Sequence, residues 1–164
     1  MPKPKLDEFD IKILNALQAD GRLTNVELAE MIGLSPSPCL RRVKRLESEG
    51  YIEGYAAKIN RSKIGLSVTA FVEAKMERHT QKDADNFEKT IRQLPHVLSC
   101  HLISGRPDYL LEVVLTNLDQ YSVVLKTLRN IPQIQELHSS FVLAVVKPDS
   151  HLPLNFAALS ESDE

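Results

Sequence analysis

The chain has 164 residues, a length that suits one large or two small domains. A hydrophobic share of 43% supports packed cores, and a formal charge of only −2 excludes a partner chosen by one overwhelming sign of charge. Two cysteines, Cys39 and Cys100, with no CxxC spacing exclude a disulfide framework, and with no apolar run of membrane length a reduced cytosolic chain is the expectation.

In chain order, Met1-Pro2-Lys3-Pro4-Lys5 is a short polar arm expected to be disordered. Leu6 to Leu17 then repeats apolar residues at helical spacing. Asp7 is placed to cap this helix, Leu6, Phe9, Ile13 and Leu17 form its apolar face, and Asp20-Gly21 ends it. In Leu23 to Leu28, Thr24 is an N-cap and Glu27, three residues on, completes a capping box. Leu28, Ala29 and Ile32 give the second helix its apolar face, and Gly33 fits the left-handed position past its end. A third helix starts at once: Ser35 caps it, Pro36 takes its first position and Pro38 still lies in its first turn.

Leu40, Val43 and Leu46 recur at helical spacing and are expected to be the buried stripe of the third helix. The opposite side carries Ser37, Pro38, Arg41 and Arg45, flanked by Arg42 and Lys44. Two short helices joined by a tight glycine turn, the second exposing hydroxyls and fork-shaped cations near its start, are laid out as a DNA-reading helix-turn-helix. An ordinary surface helix with a solvated basic face is the plainer alternative. The caps, the short turn and the serine-proline opening favour DNA. Tyr51-Ile52-Glu53-Gly54-Tyr55 reads as a short strand and turn, the layout of a wing. The charge is split accordingly: residues 1–63 hold 11 Lys+Arg against 9 Asp+Glu, the remainder 9 against 13.

The second half contains a duplication. KTIRQLPHVLSCH at 89–101 returns as KTLRNIPQIQELH at 126–138, each copy a helix end, a proline break and a strand. Val68 to Met76 alternates in a half-buried strand pattern, 81–93 and 118–130 read as helices, Tyr109 to Leu115 as a strand, and Ser139 to Val146 as belonging to the last strand. The order βαββαβ is a ferredoxin-like, α+β layout, with helices on one face of an antiparallel sheet. The other face needs a cover, and a second subunit docked sheet to sheet is the economical one. The expected domains are 1–55, a linker 56–65, 66–147 and a tail 148–164, in which Leu152 to Phe156 could dock and about the last five residues, with the acidic Glu161-Ser162-Asp163-Glu164, are expected to be mobile.

Between the second and third strands lies Ser104-Gly105-Arg106-Pro107-Asp108-Tyr109. A plain β-turn explains it; so does a site for an amino acid, with backbone N–H groups around Gly105 for the carboxylate and Asp108 for the ammonium. His138 and Ser139 are weaker candidates for its wall, and Arg106 and Pro107 carry little information about the ligand. Catalytic chemistry is poor. Cys100 and His101 are adjacent on a strand and face opposite ways. The five histidines lack zinc spacing, and no GxGxxG or P-loop occurs, so no catalytic residue, metal or cofactor is expected.

The run LDEFDIKILNALQADGRLTNVELAEMIGLSPSPCLRRVKRLESEGYIEGY, with LSPSPCLRRVKRLE its most specific part, and the later SGRPDYLL resemble the leucine-responsive regulatory protein/asparagine-regulator family, the feast/famine regulators of bacteria and archaea. The resemblance spans about residues 5–147. It implies a DNA-binding domain, a linker and a C-terminal domain that dimerises and senses a free amino acid. It also implies assemblies of dimers up to octamers, a cytoplasmic, nucleoid-associated location, and an effector loop at the interface between dimers, where Gly105 and Asp108 match the family's glycine and aspartate. The DNA-contacting set is then Ser35, Ser37, Pro38, Arg41, Arg42, Lys44 and Arg45, and the effector set Ser104, Gly105, Asp108, Tyr109, His138 and Ser139. Two other readings stay open at this stage: a DNA-architectural protein indifferent to ligand, and a small ferredoxin-like dimeric enzyme.

Overall fold

The computed structural model describes residues 6–78, 80–148 and 150–154; Met1 to Lys5, Asn155, Phe156 and the acidic end lie outside them. The chain divides into two compact units. One combines the residues up to Lys58 with those from Lys147 onward, and the other is Ile59–Val146.

The first unit is built on three helices, α1 (Glu8–Ala19), α2 (Asn25–Ile32) and α3 (Pro36–Ser48). Each starts where its cap allows. Asp7 and Asp10 form a capping box at α1, each side chain accepting from the other's backbone N–H at 2.9 and 3.0 Å. Thr24 and Glu27 do the same at α2. Gly33 (φ +73°) ends α2 in the left-handed region, and the Leu34 N–H bonds back to Ala29 O at 2.9 Å. The core is Ile13, Leu14, Leu28, Ala29, Ile32, Cys39 and Leu46.

Two expectations change here. Tyr51 to Tyr55 forms no strand. Gly50 turns the chain (φ +77°), the N–H groups of Tyr51 and Ile52 both bond to Leu46 O, and both side chains pack on the helical core. The α3 stripe is also rotated from the expected one: Cys39 and Leu46 are fully buried, Val43 is half-buried, and Leu40 is 41% exposed.

Of the stretch Leu152 to Phe156 expected to dock, Leu152 and Leu154 are held on this unit. Gln18 grips the Leu152 backbone at two points, its Oε1 accepting from the N–H at 2.7 Å and its Nε2 donating to the carbonyl at 3.4 Å. Asn15 Nδ2 donates to Leu154 O at 3.2 Å, and the Leu154 side chain packs on the helical core.

The second unit opens with a 3-10 turn, Ser62–Ile64, and Gly65 in the left-handed region (φ +85°); residues 56–65 carry no strand. The rest runs β1 (Val68–Met76), α4 (Gln81–Ile91), β2 (Val97–Leu102), β3 (Tyr109–Leu115), α5 (Leu118–Arg129) and β4 (Ile134–Phe141). The antiparallel sheet has the order β2-β3-β1-β4, which is the ferredoxin-like arrangement. Ala70, Val72, Ala74 and Met76 alternate out of β1 onto the helix-covered face, where Val72, Ala74 and Met76 join Leu111, Val113, Leu115, Phe87, Ile91, Val124 and Leu128 in one core. The opposite face shows Phe71, Glu73, Lys75, Glu112, His138 and Ser140, none fully buried.

β4 begins five residues before the expected Ser139 and stops at Phe141. The duplication predicts this start, because Val97 and Ile134 each lie two residues past the repeated proline. In the apolar run that follows, Val142 keeps one ladder bond, to Thr69 O, while Leu143, Val145 and Val146 are exposed.

Leu154→Ala should lower the stability of the first unit by about 1 kcal/mol, as expected for a half-buried leucine. Hydrogen exchange of the α1 amides reads this directly. Unchanged protection would show that the segment rests on α1 without supporting it.

Candidate functional site

The outward face of α3 follows from what the helix buries. At ~100° per residue, with Cys39 and Leu46 at the core, the far side lies near Ser37, Arg41, Lys44 and Ser48. All four are exposed, and they cluster within about 60° of arc. The start of the helix has unusual chemistry. Ser35 is the N-cap but makes no side-chain capping bond. An N-cap hydroxyl accepts from the second or third helical N–H, and Pro38 removes the third. With Pro36 and Pro38 lacking N–H groups, Ser37 supplies the one backbone donor among the first three positions. The hydroxyls of Ser35 and Ser37 stand exposed there, and Pro38 is half-buried.

Arg42 and Arg45 do not share this face. Asp10 of α1 is 0% exposed, and its carboxylate lies between them. Arg42 Nη1 donates to Asp10 Oδ1 at 2.9 Å, and Arg45 Nη2 donates to Oδ2 at 2.5 Å. Arg42 Nη1 also reaches Asp7 Oδ2 at 2.6 Å, and its guanidinium lies 5.5 Å from the centre of the Phe9 ring. Arg45, expected on the outward face, and Arg42, expected to flank it, are both turned to Asp10, while Arg41 and Lys44 stay exposed. Burial raises the Asp7 carboxyl, but the Asp10 backbone N–H and the Arg42 guanidinium outweigh it and leave Asp7 below the ordinary carboxylate range. Arg42 is pushed up in turn, mainly by its hydrogen bond to Asp7.

In the second unit the candidate loop has Ser104, Gly105 and Arg106 exposed, Gly105 in the left-handed region (φ +100°) and a cis Arg106–Pro107 bond. Asp108 is tied to the sheet. Its Oδ2 accepts from the Met76 N–H at 2.7 Å, its N–H donates to Ala74 O at 3.2 Å, and its carbonyl accepts from Ile103 at 2.9 Å. The remaining candidates separate. Tyr109 is buried in the helix-side core, 4.4 Å from the Phe87 ring centre, with its hydroxyl donating to Glu88 at 3.4 Å. Ser139 is on the same side and accepts from the Tyr121 hydroxyl. His138 is on the open face, 3.0 Å from Glu136.

His138 joins a hollow of about 210 Å³ lined by Glu73, Lys75, Arg106, Pro107 and Glu136. Tyr109 lines a different hollow, of about 380 Å³, with Glu88, Arg92, Val97 and Cys100. Burial and the nearby Glu88 push the Cys100 thiol up to about 11, so it stays protonated at neutral pH. The charged lining of the first hollow escaped the sequence reading, although Glu73 faces His138 and Lys75 faces Glu136 across the ladder. Among the described residues no His/Cys/Asp/Glu group is placed to hold a metal ion, and no helix is long and apolar enough to cross a membrane.

Comparison with known proteins agrees with this geometry. Residues 6–53 match a family described as winged helix-turn-helix DNA-binding, and residues 69–152 match the Lrp/AsnC ligand binding domain. The leucine-responsive regulatory proteins of Klebsiella pneumoniae and Escherichia coli (strain K12) are each 39% identical over 152 residues, 92% of this chain and 93% of theirs. The chain belongs to the Lrp/AsnC family. Among solved structures, a Neisseria meningitidis transcriptional regulator in complex with L-Met is 44% identical, with a TM-score of 0.87 over 93% of this chain and 99% of that one. An AsnC family regulator from Agrobacterium tumefaciens is 32% identical, with a TM-score of 0.86 over 90% and 97%. The chain is thus a transcriptional regulator of this family, with a DNA-binding helix-turn-helix and a ligand-binding domain. The matched helix-turn-helix region ends in the bend at Tyr51 and Ile52.

The depressed Asp7 carboxyl sets a pH dependence. A carboxylate held below its ordinary value of 3.8 contributes stability above that value and loses it as pH falls through the folded value. Thermal melts of the full chain should therefore show an acid limb below about pH 4, and Asp7→Ala should flatten it. A limb of unchanged shape in that variant would assign acid sensitivity to other carboxylates.

Proposed function

We propose that the protein is an amino-acid-responsive regulator that reads the DNA major groove with the outward face of α3. The observation that carries the DNA half is the convergence of Ser37, Arg41 and Lys44 on the one side of α3 that the core leaves open, with Ser35 exposed at the N-cap. Arg41 lies centrally and can fork onto a guanine edge. Lys44 is a point charge suited to phosphate, and the hydroxyls and the Pro38 ring border the approach.

The effector half rests on the ligand-binding family match, on the L-Met complex of the 44% identical Neisseria regulator, and on the exposed Ser104-Gly105-Arg106 turn. In this reading the α-carboxylate takes backbone N–H groups beside Gly105, and the Asp108 carboxylate, already oriented by Met76, faces the ammonium. Tyr109 anchors the end of the turn from the core side, Ser139 stands on β4 opposite Val72 as a more distant wall, and His138 contributes from the open face. The uncovered sheet face supports a dimer, and an exposed effector turn suits an interface between dimers, as in tetramers or octamers. No metal or organic cofactor enters the reading, and its setting is cytoplasmic and nucleoid-associated. Nothing in the site favours catalysis: the two thiols are held protonated, and Asp108 is engaged by backbone.

A DNA-shift assay against a panel of the common amino acids tests both halves. Arg41→Ala should weaken specific binding by ~1–3 kcal/mol and relax preference at one base position. Intact preference would mean that α3 docks differently. Asp108→Asn keeps an acceptor for the Met76 N–H while removing the charge. It should leave ligand-free DNA binding in place and abolish the shift by the effector; a retained response would limit Asp108 to shaping the turn.

A further inference from the structure

We infer that Asp10 is the positioning residue for DNA reading, and that Arg42 and Arg45 serve it instead of contacting phosphate. The inference rests on the α3 docking proposed above. Arg42 and Arg45 lie three residues apart on α3 and straddle one fully buried carboxylate, each taking a different oxygen. One ion pair would leave α3 free to roll or slide. Two, on separate oxygens of a side chain fixed to α1, hold both the rotation of α3 about its axis and its position along α1.

The same contact withholds the two guanidiniums from DNA. Releasing one would take the charged donor from one oxygen of a fully buried carboxylate, and releasing both would leave its charge unmatched away from water, which is more costly than undoing an exposed pair. Asp10 is itself held, because its Oδ2 also accepts the Asp7 N–H at 3.0 Å and its backbone N–H is bound by Asp7 Oδ1. Phe9 and Asp7 also engage Arg42, and Glu49 lies 3.9 Å from Arg45 Nε. The outward cation set of α3 is then Arg41 and Lys44, although a count of basic residues on the helix gives four.

The test uses the full chain and a duplex selected by the wild type from a random library. Binding is measured against salt, where each phosphate neutralised contributes about 0.9 to the log–log slope. Lys44→Ala should lower the slope by about that amount per bound helix. Arg42→Gln and Arg45→Gln should leave it unchanged. Should those two fail to fold, the apolar replacement D10L/R42M/R45M removes both cations together with the buried charge that needs them, and it too should keep the wild-type slope. A slope lowered in any of these as in Lys44→Ala would overturn the inference. Positioning has its own readout. Folded Asp10→Asn should broaden base preference at the position read by Arg41, and should add nothing to the broadening already present in Arg41→Ala. Wild-type preference retained in Asp10→Asn would reduce Asp10 to a stabilising residue. A wild type that selects no sequence from the library fails at the docking itself, and would overturn that reading and this one together.

Discussion

A carboxylate at zero exposure is the constraint around which the first unit is arranged. Asp10 is on the same helix as Ile13 and Leu14, so the surface that makes the hydrophobic core also carries a charge into it. The charge is tolerable only with donors supplied from outside α1, and α3 supplies them in Arg42 and Arg45. Packing by Cys39 and Leu46 brings α3 close; the paired guanidiniums choose one orientation among those that apolar contact alone would accept. The face left to solvent is a by-product of that choice. The capping box at Asp7 connects helix initiation to the same network, since the residue that starts α1 also holds Arg42.

The second unit is organised differently. Its core is one-sided, with α4 and α5 over alternate residues of the sheet, and it leaves a charged ladder on the other side. Asp108 is the link between loop and sheet. By accepting from Met76 and donating to Ala74 it locks the 103–108 turn to the end of β1, so a group acting on that turn acts on the central strands as well. β1 pairs with both β3 and β4, and displacement of its end is felt across three strands.

Much of this was legible in the residues, and the exceptions have physical causes. Thr24, Glu27 and Gly33 state the helix-turn-helix plainly because caps and left-handed turns are local chemistry. The βαββαβ order follows from periodicity and from the repeated proline. Asp10 was not legible: an acidic residue in a first helical turn is ordinarily solvated, and its burial depends on cations 32 and 35 residues away. The rotation of α3 that exposes Leu40 and buries Cys39 has the same origin. The separation of His138 from Ser139 was within reach, because adjacent strand residues face opposite ways, as Cys100 and His101 also do. The bend at Tyr51 was hidden by tyrosine and isoleucine, which favour strands in general and here fill a helical core.

The grip of Gln18 and Asn15 on Leu152 and Leu154 bears on how the protein is made. The DNA-binding unit draws its first helix from the start of the chain and a packing contact from residues well over a hundred positions later. During synthesis the helix-turn-helix emerges early and lacks that contact, while the whole sheet domain is translated behind it. Only when residues 150–154 have left the ribosome can the unit reach full stability, by which time the ferredoxin-like domain has had its complete sequence available to fold. The first unit to emerge is thus the last to receive all of its contacts.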